Sequence, residues 1–112
     1  MVRVIDGDTF VAEARIWPGQ TITVSVRIRG VDAPELRSRC AIEKAAADEA
    51  RLALEEMIGG STVRIRNISG DKYFGRVVAD VSTTQEVPVG ESLLVRTLAS
   101  SYDGGERVAY CG

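Results

Sequence analysis

From Thr21 to Arg29 the chain alternates without a break. Ile22, Val24, Val26 and Ile28 are apolar, and Thr21, Thr23, Ser25, Arg27 and Arg29 between them are polar or charged. A period of two puts the first set on one face of a strand and the second on the other. The segment therefore reads as a β-strand with one buried face, which needs a second layer to cover it. Gly30 and Pro34 mark where this strand stops and a turn begins. Within Val26 to Glu35 the chain packs two guanidiniums, Arg27 and Arg29, and two carboxylates, Asp32 and Glu35. A carboxylate on each side of an Ala-Pro turn, beside fixed positive charge, is what a metal-assisted attack on a phosphate uses. A strand with a solvated charged face and an ordinary turn accounts for the same residues.

The flanking segments supply the partners this strand needs. Val2 to Ile5 reads as the end of a strand, Asp6-Gly7-Asp8 as a turn, and Thr9 to Ala14 as the second arm of a hairpin or sharply bulged strand. Trp17 to Gln20 is a second turn. From Ala41 to Ile58 the residues are rich in Ala, Leu and Glu, and Ile42, Ala46, Ala50, Ala53 and Met57 recur at helical spacing before Gly59-Gly60 ends the run. Its charges read as a solvated face. Strands are expected again at Thr62 to Ile68 and Gly75 to Ser82, with Ser69-Gly70-Asp71 as the turn between them. Pro88 suits the first turn of a helix running to about Ala99, and the tail 100–112 is expected to be irregular. The expected fold is mainly β with helices (α+β), one domain over 1–112. It is a five-stranded barrel of the OB-fold kind, with one helix between strands three and four and another after the barrel.

Composition narrows the chemistry. With 45% hydrophobic and 27% charged residues, the 112-residue chain has the make-up of a soluble globular domain. No apolar run approaches the roughly 20 residues of a membrane span, and no signal peptide is read within this stretch. The net charge of −2 gives no overall basic field, so a polyanion site has to be local. Twelve of the fourteen basic residues are Arg, which suits bidentate contacts to phosphate. Without histidine and with two cysteines, the usual Cys/His zinc site and His-based nucleophilic catalysis are excluded. Cys40 and Cys111 could form one disulfide, pointing to an oxidising compartment, or stand as two separate thiols.

Two further clusters carry chemistry. Asp6-Gly7-Asp8-Thr9 offers hard-oxygen ligands of the kind calcium and magnesium prefer, and is equally an Asp-rich hairpin turn. Asp71-Lys72-Tyr73-Phe74-Gly75-Arg76 holds an aromatic pair between basic residues. That is a nucleotide-binding composition, or a loop whose aromatics cover the end of the barrel.

Taken together and in this order, Val4-Ile5-Asp6-Gly7-Asp8-Thr9, Val26 to Glu35 and Asp71 to Arg76 resemble the staphylococcal nuclease (thermonuclease) family. Glu91 to Ala99 looks like that family's helix after the barrel. The resemblance implies an OB-fold nuclease with one calcium ion (Ca2+), acting on DNA and RNA at the bond to the 5′ oxygen and leaving 3′-phosphates. It implies Asp8, Asp32 and the backbone carbonyl of Ala33 as calcium ligands, with Asp6 close by but not a direct ligand. Arg27 and Arg76 would grip the phosphate, and Glu35 would activate or position the water. Lys72, Tyr73 and Tyr102 would contact the nucleotide. Arg29 is given no role, and its replacement by Ala is expected to cost far less than that of Arg27. Relative to the family's shorter Asp-Lys-Tyr-Gly-Arg run, Phe74 is an extra residue. The alternative is a non-catalytic OB-type module that binds nucleic acid or a protein. Secretion or a periplasmic location is expected, with any targeting segment outside this stretch, no membrane partner and a monomeric state.

Overall fold

Punctuation by Gly, Pro and Asp places the strands much as the sequence implies. The computed structural model describes residues 2–34, 40–70, 75–96 and 100–101. Strands β1 (Val2–Asp6) and β2 (Thr9–Trp17) flank the Gly7-Asp8 turn, and β3 (Gln20–Ile28) follows the Pro18-Gly19 turn. Gly30, at φ 84°, turns the chain into a two-residue strand β4 (Val31–Asp32). Next come helix α1 (Ala41–Ile58), β5 (Val63–Gly70), β6 (Arg76–Thr83), α2 (Val89–Val95) and β7 (Ser100–Ser101).

The five long strands form one sheet in the order β1-β2-β3-β6-β5. Only β3 and β6 run parallel; the other neighbours are antiparallel. This is the expected α+β arrangement, with a helix between the third and fourth long strands and another after the fifth, and its strand order is that of an OB-fold. Among the described residues the sheet is not closed into the full barrel expected from sequence. The Val2 carbonyl on β1 accepts from Gly60 N–H at 3.0 Å, so the chain leaving α1 occupies part of that edge.

One face of the sheet is apolar and holds the core. Phe10, Val26, Ile28 and Ala79 on the strands are fully buried against Leu54 and Ile58 of α1 and Val89 and Leu93 of α2. Burial along β3 fades toward its start: Ile22 is exposed, although it shares the apolar register of Val26. The reason is pairing, since β6 lies alongside only Ser25 to Ile28. Gln20 to Val24 therefore project beyond the second neighbour.

Helix α1 has the expected bounds, but its buried face is rotated. Ala47, Ala50, Ala53, Leu54 and Ile58 are buried, while Ile42 is exposed. A 3.6-residue repeat allows both stripes, and the packing against β1 selects the one centred on Ala50 and Leu54. Pro88 sits just before α2 as its N-cap residue rather than inside its first turn. Ser69 and Gly70, expected in a turn, continue β5 through a bulge. Ser100 and Ser101, expected to be irregular, pair antiparallel with Asp32 and Val31. The Gly30 turn leaves β4 with an open edge, and β7 satisfies it. None of the described helices is long and apolar enough to cross a membrane.

Candidate active site

The site starts from the Asp6-Gly7-Asp8 turn, whose geometry is local. Asp8 N–H donates to Asp6 Oδ1 at 3.0 Å, closing an Asx-type turn. Gly7 is required at its apex. A Cβ built there would lie 2.7 Å from the Cβ atoms of both Ala33 and Ala50. The turn is thus wedged between α1 and the segment after β4, and small residues on all three allow the approach.

Pairing then carries the turn to the charged end of β3. Thr9 is opposite Arg27 in the antiparallel β2–β3 ladder, and Ile28 N–H donates to the Asp8 carbonyl at 2.8 Å. After the Gly30 turn, Asp32 and Ala33 return to the same place. Ala33 N–H donates to Asp8 Oδ2 at 3.0 Å, and the Thr9 hydroxyl donates to Asp8 Oδ1 at 2.8 Å. The Arg27 guanidinium lies between two carboxylates: its Nη2 is 3.4 Å from Asp32 Oδ1 and 3.8 Å from Asp8 Oδ2. Asp8 is 8% exposed and Asp32 9%, so both charges are largely withdrawn from water around a shared guanidinium.

Burial alone would raise the Asp8 pKa. Hydrogen bonding with the Asp6 side chain, the Ala33 N–H and the Thr9 hydroxyl, together with the Arg27 charge, outweighs it and holds the carboxyl below its ordinary range. Asp8 is an anion at neutral pH.

Arg76 opens β6 beside Ser25, with Arg27 opposite Val78 two positions on. Side chains two apart share a face, and paired residues in neighbouring strands share it too. Arg27 and Arg76 therefore emerge on the same polar face of the sheet, offset by about 7 Å along the strands and about 5 Å across them.

Arg29, given no role from sequence, makes four side-chain hydrogen bonds to β5 and β6. Its Nη1 donates to Asp80 Oδ1 at 3.2 Å. Its Nη2 meets the Asn67 carbonyl at 2.5 Å, Ser69 Oγ at 2.7 Å and the Val78 carbonyl at 3.2 Å. Asn67 Nδ2 donates to Asp80 Oδ2 at 2.6 Å, closing the circuit. Asn67 is the bulge residue of β5, with φ 54°. The hydrogen bond from Asn67, with the hydrogen bond and charge of Arg29, holds the Asp80 carboxyl below its ordinary pKa against the opposing effect of burial. An Arg next to a glycine turn was the only local signal of this network; its acceptors lie 38 to 51 residues away.

The remaining expected site residues, Glu35, Lys72, Tyr73 and Tyr102, lie outside the described residues. So does Cys111. Cys40, the N-cap residue of α1, is half-buried and is not a free thiol.

Comparison with known families completes this picture. The sequence model of the family described as staphylococcal nuclease homologue matches residues 25–109. The chain belongs to that family. No curated protein matches it. Family membership gives the chain a nuclease-like or nucleic-acid-binding domain. The matched stretch of the nuclease homologue contains Arg27, Asp32 and Arg76 but starts after the Asp6–Thr9 turn. It is the folded β2–β3 pairing that adds Asp8.

The donor set suits a hard cation. Asp8 and Asp32 are carboxylates of the kind calcium prefers, and the Ala33 main chain is drawn against Asp8. Asp8 and Asp32 place two carboxyl groups against one guanidinium, an oxygen-rich corner of the kind a hard cation uses. Among the described residues no group of three or more His, Cys, Asp or Glu side chains forms a metal cluster.

Proposed function

We propose that this domain is a calcium-dependent phosphodiesterase that hydrolyses DNA and RNA, breaking the bond between phosphorus and the 5′ oxygen and leaving 3′-phosphates. The observation that carries the reading is the convergence of Asp8, Arg27 and Asp32. Three residues from two separate sequence clusters meet in one largely buried group. Two carboxylates brought together beside a guanidinium are the oxygen donors that a calcium site next to a phosphate would use.

In this reading Asp8, Asp32 and the Ala33 carbonyl hold calcium. When bound, calcium supplies positive charge against the non-bridging phosphate oxygens. Arg27 and Arg76, projecting from the same sheet face, hold the phosphate through forked N–H donors and match the charge that builds on its equatorial oxygens. Glu35 accepts or orients a proton of the attacking water, a step left to a carboxylate in a chain without histidine. The water oxygen bonds to phosphorus as the bond to the 5′ oxygen breaks, and the departing alkoxide is protonated to a 5′-hydroxyl. Asp6 shapes the turn that aims Asp8 and binds no cation itself. Lys72, Tyr73 and Tyr102 contact the nucleotide around the phosphate.

The test is cleavage of an end-labelled single-stranded DNA with calcium and with excess chelator, against Glu35→Ala and Arg27→Ala proteins. Chelator-sensitive cleavage reduced by about 10²-fold or more in each variant is expected. Cleavage no greater than that of Glu35→Ala would overturn the reading. Retained DNA binding in that case would identify a non-catalytic binding module.

A further inference from the structure

Four residues separate Arg27 from Asp32, and they decide whether the two meet. Ile28 and Val31 are buried and apolar, Gly30 has no side chain, and Arg29 sends its guanidinium to acceptors on two other strands. Arg29 N–H also donates to the Ala79 carbonyl on β6 at 2.9 Å, one residue from where Ile28 N–H meets Asp8 O. The end of β3 is thereby tied by its backbone to Asp8 on one side and to β6 on the other. Its side chain extends the tie to Asp80, Val78 and the bulge at Asn67 and Ser69.

We propose that Arg29 is a positioning residue of the site: by fastening the end of β3 to β6 and to the β5 bulge, it fixes the Gly30 turn that carries Asp32 and Ala33 to Arg27 and Asp8. The Arg29–Asp80 pair is half-exposed, where ion pairs contribute little to global stability. Its consequence is therefore local. Gly30 at φ 84° is a point of conformational freedom, and without an anchor just before it the turn has several accessible directions. Arg suits the task because one planar fork addresses a carboxylate and main-chain carbonyls together, which a single ammonium does not. Asp80 and Asn67 complete the anchor, since each holds the other as well as Arg29.

The catalytic consequence rests on the phosphodiesterase reading, but the positioning does not, and the experiment separates them. Amide hydrogen exchange is followed residue by residue by NMR, in chelator, for the native protein, Arg29→Met and Asp80→Asn. The last variant keeps Arg29 and guards against a misfolded Arg29→Met. Calcium affinity is then measured by calorimetry on the same proteins without nucleic acid. The expected result is exchange at least about tenfold faster at Ile28 and Ala33, with α1 amides unchanged, and calcium affinity about tenfold weaker in both variants. Faster exchange confined to the β5 bulge, or none, would overturn the positioning role, whatever the calcium result. Faster exchange at Ala33 with unchanged calcium affinity would overturn the claim that the anchor serves the site. A native protein that binds no calcium would sink the phosphodiesterase reading, and the exchange at Ile28 and Ala33 would still decide the positioning.

Discussion

Replacing Arg27 by Met keeps the aliphatic stem and removes the charge, leaving Asp8 and Asp32 buried without their shared guanidinium. Removing one partner of a buried ion pair costs ~3–5 kcal/mol when the other charge stays buried. The contacts here, at 3.4 and 3.8 Å, are longer than a tight charge-assisted hydrogen bond, and the three side chains retain 11–14% exposure. A loss near 2 kcal/mol is the corresponding expectation. For a domain of 112 residues the unfolding entropy is about 0.24 kcal/mol/K, so the melting temperature should fall by about 8 °C. The assay is thermal unfolding followed by circular dichroism in chelator at neutral pH. Adding Asp32→Asn to Arg27→Met should recover part of the loss, because one of the two carboxylates that shared the guanidinium is then neutral. The pH dependence has a definite sign. Asp8 has a depressed pKa in the folded protein, so its contribution is present above the ordinary value of 3.8 and is lost as the pH falls through the folded value. The gap between native and Arg27→Met should close in that window. An Arg27→Met protein melting within about 2 °C of the native at neutral pH would refute the reasoning, since the carboxylates would then be solvated rather than paired.

Gly7→Ala should destabilise by about 1–3 kcal/mol in urea titrations, because the added methyl meets two Cβ atoms at 2.7 Å; a neutral outcome would mean that the turn does not seat between Ala33 and Ala50. Asp80→Asn should melt within about 2 °C of the native protein at neutral pH, because its pair with Arg29 is half-exposed, and that small difference should vanish as the pH falls from 3.8 through the lowered Asp80 value; a larger loss would mean that the anchor supports the whole fold and not the turn alone. Thiol titration of the unreduced, denatured protein should find no free thiol if Cys40 and Cys111 pair, as a protein of an oxidising compartment would require; two thiols would remove that inference.

Local chemistry made the element boundaries readable. Gly7, Gly19, Gly30 and Gly59 each stand at or beside a break, and the alternation from Thr21 to Arg29 became β3 almost residue for residue. Long-range pairing was less readable. Local pattern offers Asp8 and Arg27 as separate clusters; the family resemblance assigns them to one site, and the Thr9–Arg27 register is what brings them there. Arg27 and Arg29 look equivalent in a strand with period two. What separates them is a bulge at Asn67, a non-glycine residue at positive φ that no local pattern marks, and an Asp on β6. The buried stripe of α1 was misplaced for the same reason: alanines lie around much of the helix, and the sheet decides which ones are covered.

The most direct measurement is a crystal structure with calcium and a nucleoside 3′,5′-bisphosphate. One ion on Asp8, Asp32 and the Ala33 carbonyl is expected, with Arg27 and Arg76 on the phosphate next to it. An ion bound elsewhere, or a phosphate that neither arginine touches, would contradict this expectation.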